Sequence, residues 1–391
     1  MTSGNLPEVS CRKSKLLYQL RVSASVSVSS PAKYQQVFDV LRHEILTGRY
    51  QPGQRLPSEA ELVKLFKTSR ITVGRAVREL QQRRLVDRRA GSGTFVRGES
   101  SHGFSFGLLI PDFGRTEIFE PICHGMADAP QSSNHVLIWG QGAGDSGGRA
   151  SSRQARALQL CQQYVSRRVS GVFFAPLERL PPEDDTNARI MAAFDQAEIP
   201  VVLIDRDYLP YPHRSRHDLV GIDNRRAGYR ITAHLLGLGA RRVAFVSYPH
   251  SPSTVGERLA GYREALMMHA AEMNPTLVRE LEGDSVEAAA KLAGSLDADA
   301  IVCGNDRTAG RLMQGLAASG RRVPADVRIA GIDDVGYATL LPVPLTTMHQ
   351  PCREIGMAAM TAMLERITRP DMPVRDILLE CPLVVRESCG A

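Results

Sequence analysis

No run of 18 apolar residues occurs in this 391-residue chain, so no membrane-spanning helix is expected. No C-x-x-C motif occurs either, and the seven cysteines (Cys11, Cys123, Cys161, Cys303, Cys352, Cys381 and Cys389) are odd in number. Neither a disulfide framework nor a zinc site is indicated, and a reducing compartment, the cytoplasm, fits best. Glycine and proline follow no period, which excludes a collagen-like chain. An export signal is also missing. Arg12, Lys13 and Lys15 are basic, but the stretch after them is broken by Arg21 and consists mostly of Ser and Val. Residues 1–32 read as a flexible tail or an over-long gene start.

What is present is an uneven charge. The chain carries a net +6, yet residues 33–98 hold 14 basic against 6 acidic residues, while residues 99–391 hold 30 against 35. A basic block of domain size before a mildly acidic body implies a polyanion partner for the block, such as DNA. Helical periodicity fills that block. A helix is expected from Lys33 to Thr47, with Val37, Val40, Leu41, Ile45 and Leu46 on one stripe. Ser58 and Glu61 form a capping box that starts a second helix, ending near Phe66. After the turn Lys67–Ser69 a third helix is expected at 70–83, buried through Val73, Val77 and Leu80. Two short helices joined by a tight turn make a helix-turn-helix, whose second helix can enter the major groove. Leu85–Arg89 and Thr94–Val96 then read as a hairpin around glycines, a wing able to approach a phosphate backbone closely.

These residues resemble the GntR-type winged helix-turn-helix. The pieces that carry the likeness are Gly48-Arg49-Tyr50-Gln51-Pro52-Gly53, Leu56-Pro57-Ser58-Glu59, Ser69-Arg70-Ile71-Thr72-Val73 and Gly91-Ser92-Gly93-Thr94-Phe95-Val96. The resemblance implies DNA contacts at Ser69, Arg70, Thr72 and Gly91. Ala60 and Gly74 replace residues that are often basic or polar in the family, which shifts base readout toward Arg70 and Arg75.

Residues 99–105 read as a linker, and from Phe106 the pattern changes. Short apolar runs recur at 106–110, 136–139, 172–175, 201–204, 243–247, 300–303 and 327–332, with helical stretches between them. Strands separated by crossover helices mean an α/β fold with parallel sheets. The number of units suits a two-lobed domain over residues 106–391. Acceptors close several runs: Asp205, Asn305 with Asp306, and Asp333 with Asp334. Ligands of open parallel sheets bind beyond the carboxyl ends of strands, and acceptors there suit a ligand rich in hydroxyls. Each could instead cap a helix, and Asp306 and Asp334 read as cap or loop residues.

The body resembles the LacI/GalR-type, periplasmic-binding-protein-like effector domain. The likeness rests on Val220-Gly221-Ile222-Asp223-Asn224 with Gly228, on Glu257-Arg258-Leu259-Ala260-Gly261-Tyr262, on Gly304-Asn305-Asp306, and on Gly331-Ile332-Asp333-Asp334 running to Pro344-Leu345-Thr346-Thr347. It implies ligand contacts at Phe119, Asp205, Arg206, Arg258, Asn305 and Asp333. Gly256 stands where many members place a sugar-binding Arg, so a more open pocket is expected. A GntR-type head on such a body is similar to the arabinose repressor group. The expected protein is a ligand-responsive repressor and homodimer. Its partners are a double-stranded DNA operator and a small effector such as a sugar.

Three motifs read as decoys. Gly144-Asp145-Ser146-Gly147-Gly148 spells a serine-protease nucleophile segment, but neither upstream histidine, His124 or His135, stands in such a protease's His segment, and here the segment follows a parallel-type strand. Gly140-x-Gly142-x-Gly144 imitates a dinucleotide loop, without the acidic residue expected at the end of the next strand. His213 and His217 have the spacing of metal ligands on a helix but lie in a Pro- and Arg-rich loop. Trp139 reads as core. With no catalytic constellation, metal or cofactor indicated, an enzyme is not expected, and a transport-type binding protein is opposed by the basic head.

Overall fold

The computed structural model describes residues 33–391 apart from 47–48, 52, 83–84, 90–91, 97–102, 111–116, 131, 141–149 and 182. The tail, the wing-tip Gly91, most of the linker and the Gly144–Gly148 segment therefore lie outside the described residues. The chain divides into two compact units at Ser100.

In the first unit the helices are α1 (Lys33–Leu46), α2 (Glu59–Phe66) and α3 (Arg70–Gln82), followed by the antiparallel pair β1 (Val86–Arg89) and β2 (Gly93–Val96). The capping box is made. The Glu61 amide donates to Ser58 Oγ at 3.3 Å, and the Ser58 amide donates to Glu61 Oε2 at 2.7 Å. Helix α2 stops at Lys67, whose φ of 46° is left-handed. Val37, Phe38, Leu41, Leu62, Val73, Val77 and Leu80 share one core. Val40 departs from the expected stripe and is exposed. At 100° per residue Phe38 falls on the Leu41 side of α1, and Val40 falls off it. Arg55 adds a bridge to Phe95, a third edge to the wing that the sequence did not announce.

The second unit holds two six-stranded sheets. The first lobe is built from β3 (Ser105–Leu109), α4 (Phe119–Asp128), β4 (Val136–Trp139), α5 (Ala150–Arg167), β5 (Gly171–Phe174), α6 (Thr186–Gln196), β6 (Val201–Ile204) and β7 (Asp218–Ile222). The chain then enters the second lobe: α7 (Asn224–Gly237), β8 (Val243–Ser247), α8 (Ser253–Met268), β9 (Val278–Glu280), α9 (Val286–Ser295), β10 (Ala300–Cys303), α10 (Asp306–Ala318), β11 (Arg328–Asp333) and β12 (Thr346–His349). It returns with α11 (Cys352–Thr368) and β13 (Asp376–Leu379), and ends on β14 (Leu383–Val384) beside β12.

The strand orders are β13-β7-β6-β5-β3-β4 and β14-β12-β11-β10-β8-β9. Every neighbour in the first sheet is parallel, and in the second only β14 is antiparallel. All four residues of β5, of β6 and of β10 are buried. Helices cover both faces, so a strand has no wet side to mark with polar residues. Three crossings join the lobes: β7 to α7, β12 to α11, and β13 to β14. The second and third contain Gln350 and Cys381. Trp139 is a correction. It is 60% exposed, because β4 is an edge strand with only one neighbour.

Candidate functional sites

The carboxyl ends of β6 and β11 belong to opposite lobes, and each delivers an aspartate beside an arginine. In the first lobe Arg206 Nη1 donates to Asp205 Oδ2 at 2.7 Å, and Arg206 Nε to the Pro176 carbonyl at 3.0 Å. Both residues are buried. The Arg206 guanidinium lies 5.6 Å from the Phe119 ring centroid. Phe119 itself is 1% exposed and packs in the main core, so in this structure it backs Arg206 rather than lining open space.

In the second lobe Arg258 is the centre. Its Nε donates to Asn224 Oδ1 at 2.8 Å, Nη1 to the Gly304 carbonyl at 2.7 Å, and Nη2 to Asp333 Oδ1 at 3.2 Å. The sequence places it there through close helix packing. A Cβ on Gly261 would stand 1.9 Å from the Arg225 carbonyl, and one on Gly228 would stand 2.1 Å from the Arg258 carbonyl. Only glycine lets α7 and α8 approach so far. Asn305 caps α10, its Oδ1 accepting from the Thr308 amide at 2.9 Å. Asp306 is fully buried and is no cap; it accepts from Thr347 Oγ1 at 2.6 Å and from the Val335 amide at 3.1 Å. Asp334 is a loop residue that holds Arg386 at 2.6 Å. Gly256 is exposed and has nothing within 4 Å of a Cβ position.

Gln350 is a residue the sequence reading missed. It lies on the crossing from β12 to α11, is 1% exposed, and donates from Nε2 to Asp205 Oδ1 at 3.3 Å. Its Oε1 is buried without a hydrogen bond, which is rare for a buried polar atom. Only the topology reveals it, since the local sequence does not mark a crossing.

Two physical features set this cluster apart. Asp205, Asp333 and Asp334 have φ of 70°, 129° and 55°, a left-handed backbone that is uncommon outside glycine. The carboxylates also crowd one another. Burial pushes the Asp333 carboxyl up to about 8; Arg258 pulls it down, and the charges of Asp306 and Asp205 push it further up. Burial likewise raises Asp306, to about 6.

In the basic unit, Arg70 opens α3 and is 83% exposed in its side chain, with Nε 3.4 Å from Glu59 Oε2. Glu59 also binds Arg88 of β1 at 3.0 Å, so one carboxylate aligns the third helix and the wing. Ser69 caps α3, its Oγ accepting from the Thr72 amide at 3.2 Å and lying 2.8 Å from Thr72 Oγ1. Arg75 is exposed and stacks 3.9 Å from the Tyr34 ring centroid on α1. Glu59 and Arg88 were not singled out from sequence, although Glu59 closes the Leu56–Glu59 motif.

Among the decoys, His213 is exposed, whereas the side chain of His217 is 10% exposed and 3.6 Å from Asp195. Among the described residues no group of three metal-ligating side chains occurs, and no helix is long and apolar enough to cross a membrane.

Residues 33–96 match the gntR family of bacterial regulatory proteins, and residues 232–389 match a periplasmic binding protein-like domain. The chain is 26% identical over 376 residues to an arabinose metabolism transcriptional repressor of Geobacillus stearothermophilus, covering 91% of this chain and 97% of that one. It is 35% identical over 229 residues to the transcriptional regulator CelR of Thermobifida fusca, covering 57% and 64%. A solved LacI-family regulator from Enterococcus faecalis with bound ribose superposes with a TM-score of 0.58 at 25% identity, over 73% of this chain and 98% of that one. The chain is thus a transcriptional regulator in which a GntR-type helix-turn-helix is joined to a LacI/GalR-like, periplasmic-binding-protein-like domain.

Proposed function

We propose that this chain is a repressor that releases or tightens its hold on an operator when a neutral sugar enters the cleft between its lobes. The observation that carries this reading is the pair of buried carboxylate–guanidinium couples, Asp205–Arg206 and Asp333–Arg258, on facing lobes. Each couple offers acceptors and donors already held by a partner of their own lobe. Such a surface suits hydroxyls, which can donate and accept at once, better than it suits a phosphate. Asn305 and Gln350 extend the polar wall, and Phe119 backs Arg206. In this reading the chain acts as a sensor rather than an enzyme. An arabinose repressor and a ribose-bound regulator among the relatives support the sugar class.

In this reading residues 33–98 are the DNA-binding head, 99–105 the linker and 106–391 the ligand-binding and dimerisation domain, acting in the cytoplasm. Arg70 reads a base edge, and Arg75 is freed from Tyr34 to join it. Ser69, Thr72 and Gly91 meet the phosphate backbone. A dimer presents two heads to a palindromic operator, and lobe closure alters their fit to the half-sites. The test is fluorescence anisotropy on operator DNA, titrated with a panel of pentoses and hexoses. A sugar that changes operator affinity supports the reading, and an operator complex indifferent to all of them refutes the sugar.

A further inference from the structure

We propose that Arg179 and Tyr248 form a gate across the outer side of the cleft and restrict the effector to a single sugar ring. The inference rests on the sugar reading and names the size class of ligand.

The position of the gate follows from strand order. In the second lobe the strands run outward from the crossings as β12, β11, β10 and β8. Asp333 ends β11, Asn305 follows β10, and Tyr248 follows β8. In the first lobe the order outward is β7, β6 and β5. Asp205 follows β6, and Arg179 lies beyond β5. Each gate residue is therefore further from the crossings than the carboxylate of its own lobe. The two meet across the cleft, with the Arg179 guanidinium 4.8 Å from the Tyr248 ring centroid.

The Tyr248 side of the contact is held. Tyr248 is 6% exposed, and its Oη donates to Asp284 Oδ1 at 2.8 Å. Asp284 is itself anchored by Arg307 at 2.7 Å and Arg311 at 3.0 Å. Arg179 is exposed and has a left-handed φ of 55°. Partial burial tends to raise the Asp284 carboxyl, but hydrogen bonds from Arg307, Tyr248 and Arg311 hold it down at about 2, so the anchor stays ionised across the working pH range.

Asp333 and Tyr248 stand two strands apart, about 10 Å at the usual spacing. Side chains from both ends occupy part of that span. One ring fits between them, and a second linked ring would have to part Arg179 from Tyr248.

The test uses the full chain. Thermal-shift titrations with ribose, arabinose, glucose, cellobiose and maltose would compare wild type with Arg179→Ala and Tyr248→Ala. Wild type should prefer a monosaccharide at least tenfold over a disaccharide, and both variants should narrow that ratio. A disaccharide bound by wild type as tightly as the best monosaccharide overturns the gate. Silence of every sugar refutes the sugar reading instead, and a second arm without ligand then decides the gate. Hydrogen exchange in residues 171–180 and 243–250 should quicken about two- to fivefold in Arg179→Ala, the range of one lost exposed cation–π contact, and recover in Arg179→Lys. Exchange that Arg179→Ala leaves unchanged overturns the gate in that arm.

Discussion

Replacing Asp333 by Asn separates what the cleft does for the ligand from what it costs the fold. The Asn side chain keeps an oxygen for Arg258 Nη2, now 3.2 Å from Asp333 Oδ1, and removes the charge. Asp333→Ala would instead leave the buried Arg258 short of a partner and confuse the two effects. Above pH 8, where Asp333 is ionised, a hydrogen bond to a charged group contributes about 1.5–3 kcal/mol, so effector affinity there should fall roughly tenfold to a hundredfold. Stability should move the other way. Burial pushes the Asp333 carboxyl up from 3.8 to about 8, so between those values the folded state holds a proton that the unfolded state releases. Wild-type stability therefore falls as pH rises through that window. Asn cannot titrate, so the variant lacks this slope. Its melting temperature relative to wild type should climb from pH 5 to pH 8 and equal or exceed it at the upper end. Operator binding without effector should be unchanged. The checks are thermal melts across pH and anisotropy titration of effector against operator-bound protein. A variant that answers the effector like wild type, or that loses stability as pH rises, would refute the reasoning.

Arg70→Ala should lower the ratio of operator to random-DNA affinity by about 1–3 kcal/mol, the value of one bidentate base contact; an unchanged ratio in mobility shifts would remove Arg70 from base readout. A fragment ending near Gly98 should bind DNA more weakly than the full chain, with a steep salt dependence; equal affinity at one operator would argue against pairing of heads through the body. Gly261→Ala places a methyl 1.9 Å from the Arg225 carbonyl, so it should cost at least about 1–3 kcal/mol by overpacking and weaken effector binding by displacing Arg258. A wild-type melting temperature in that variant would show that α8 yields without loss.

Much of the architecture was legible because its strands carry little but apolar residues. β4, β6, β8 and β10 run over the same residues as the apolar runs at 136–139, 201–204, 243–247 and 300–303. Two strands that escaped notice, β7 and β12, have polar positions with private partners. In β12 both Thr346 and Thr347 are fully buried, yet Thr346 Oγ1 donates to the Arg386 carbonyl and Thr347 Oγ1 to Asp306. β7 begins at Asp218, whose carboxylate is covered by Arg366 at 2.9 Å. Alternation and hydropathy cannot see such strands, because the partners that make a buried threonine or aspartate tolerable lie 40 to 148 residues away.

The same limit governs the cleft. Residue type and strand-end position singled out Asp205, Asp333, Arg206 and Arg258, but not their pairing. In the structure each arginine is bound to an aspartate of its own lobe. Gln350 adds to the site: it comes from a crossing, touches Asp205, and keeps a buried oxygen for a donor. Asp205 and Asp333 both keep a left-handed backbone at the ends of their strands. Aspartate tolerates that conformation better than most residues. The sequence therefore permitted the geometry without announcing it.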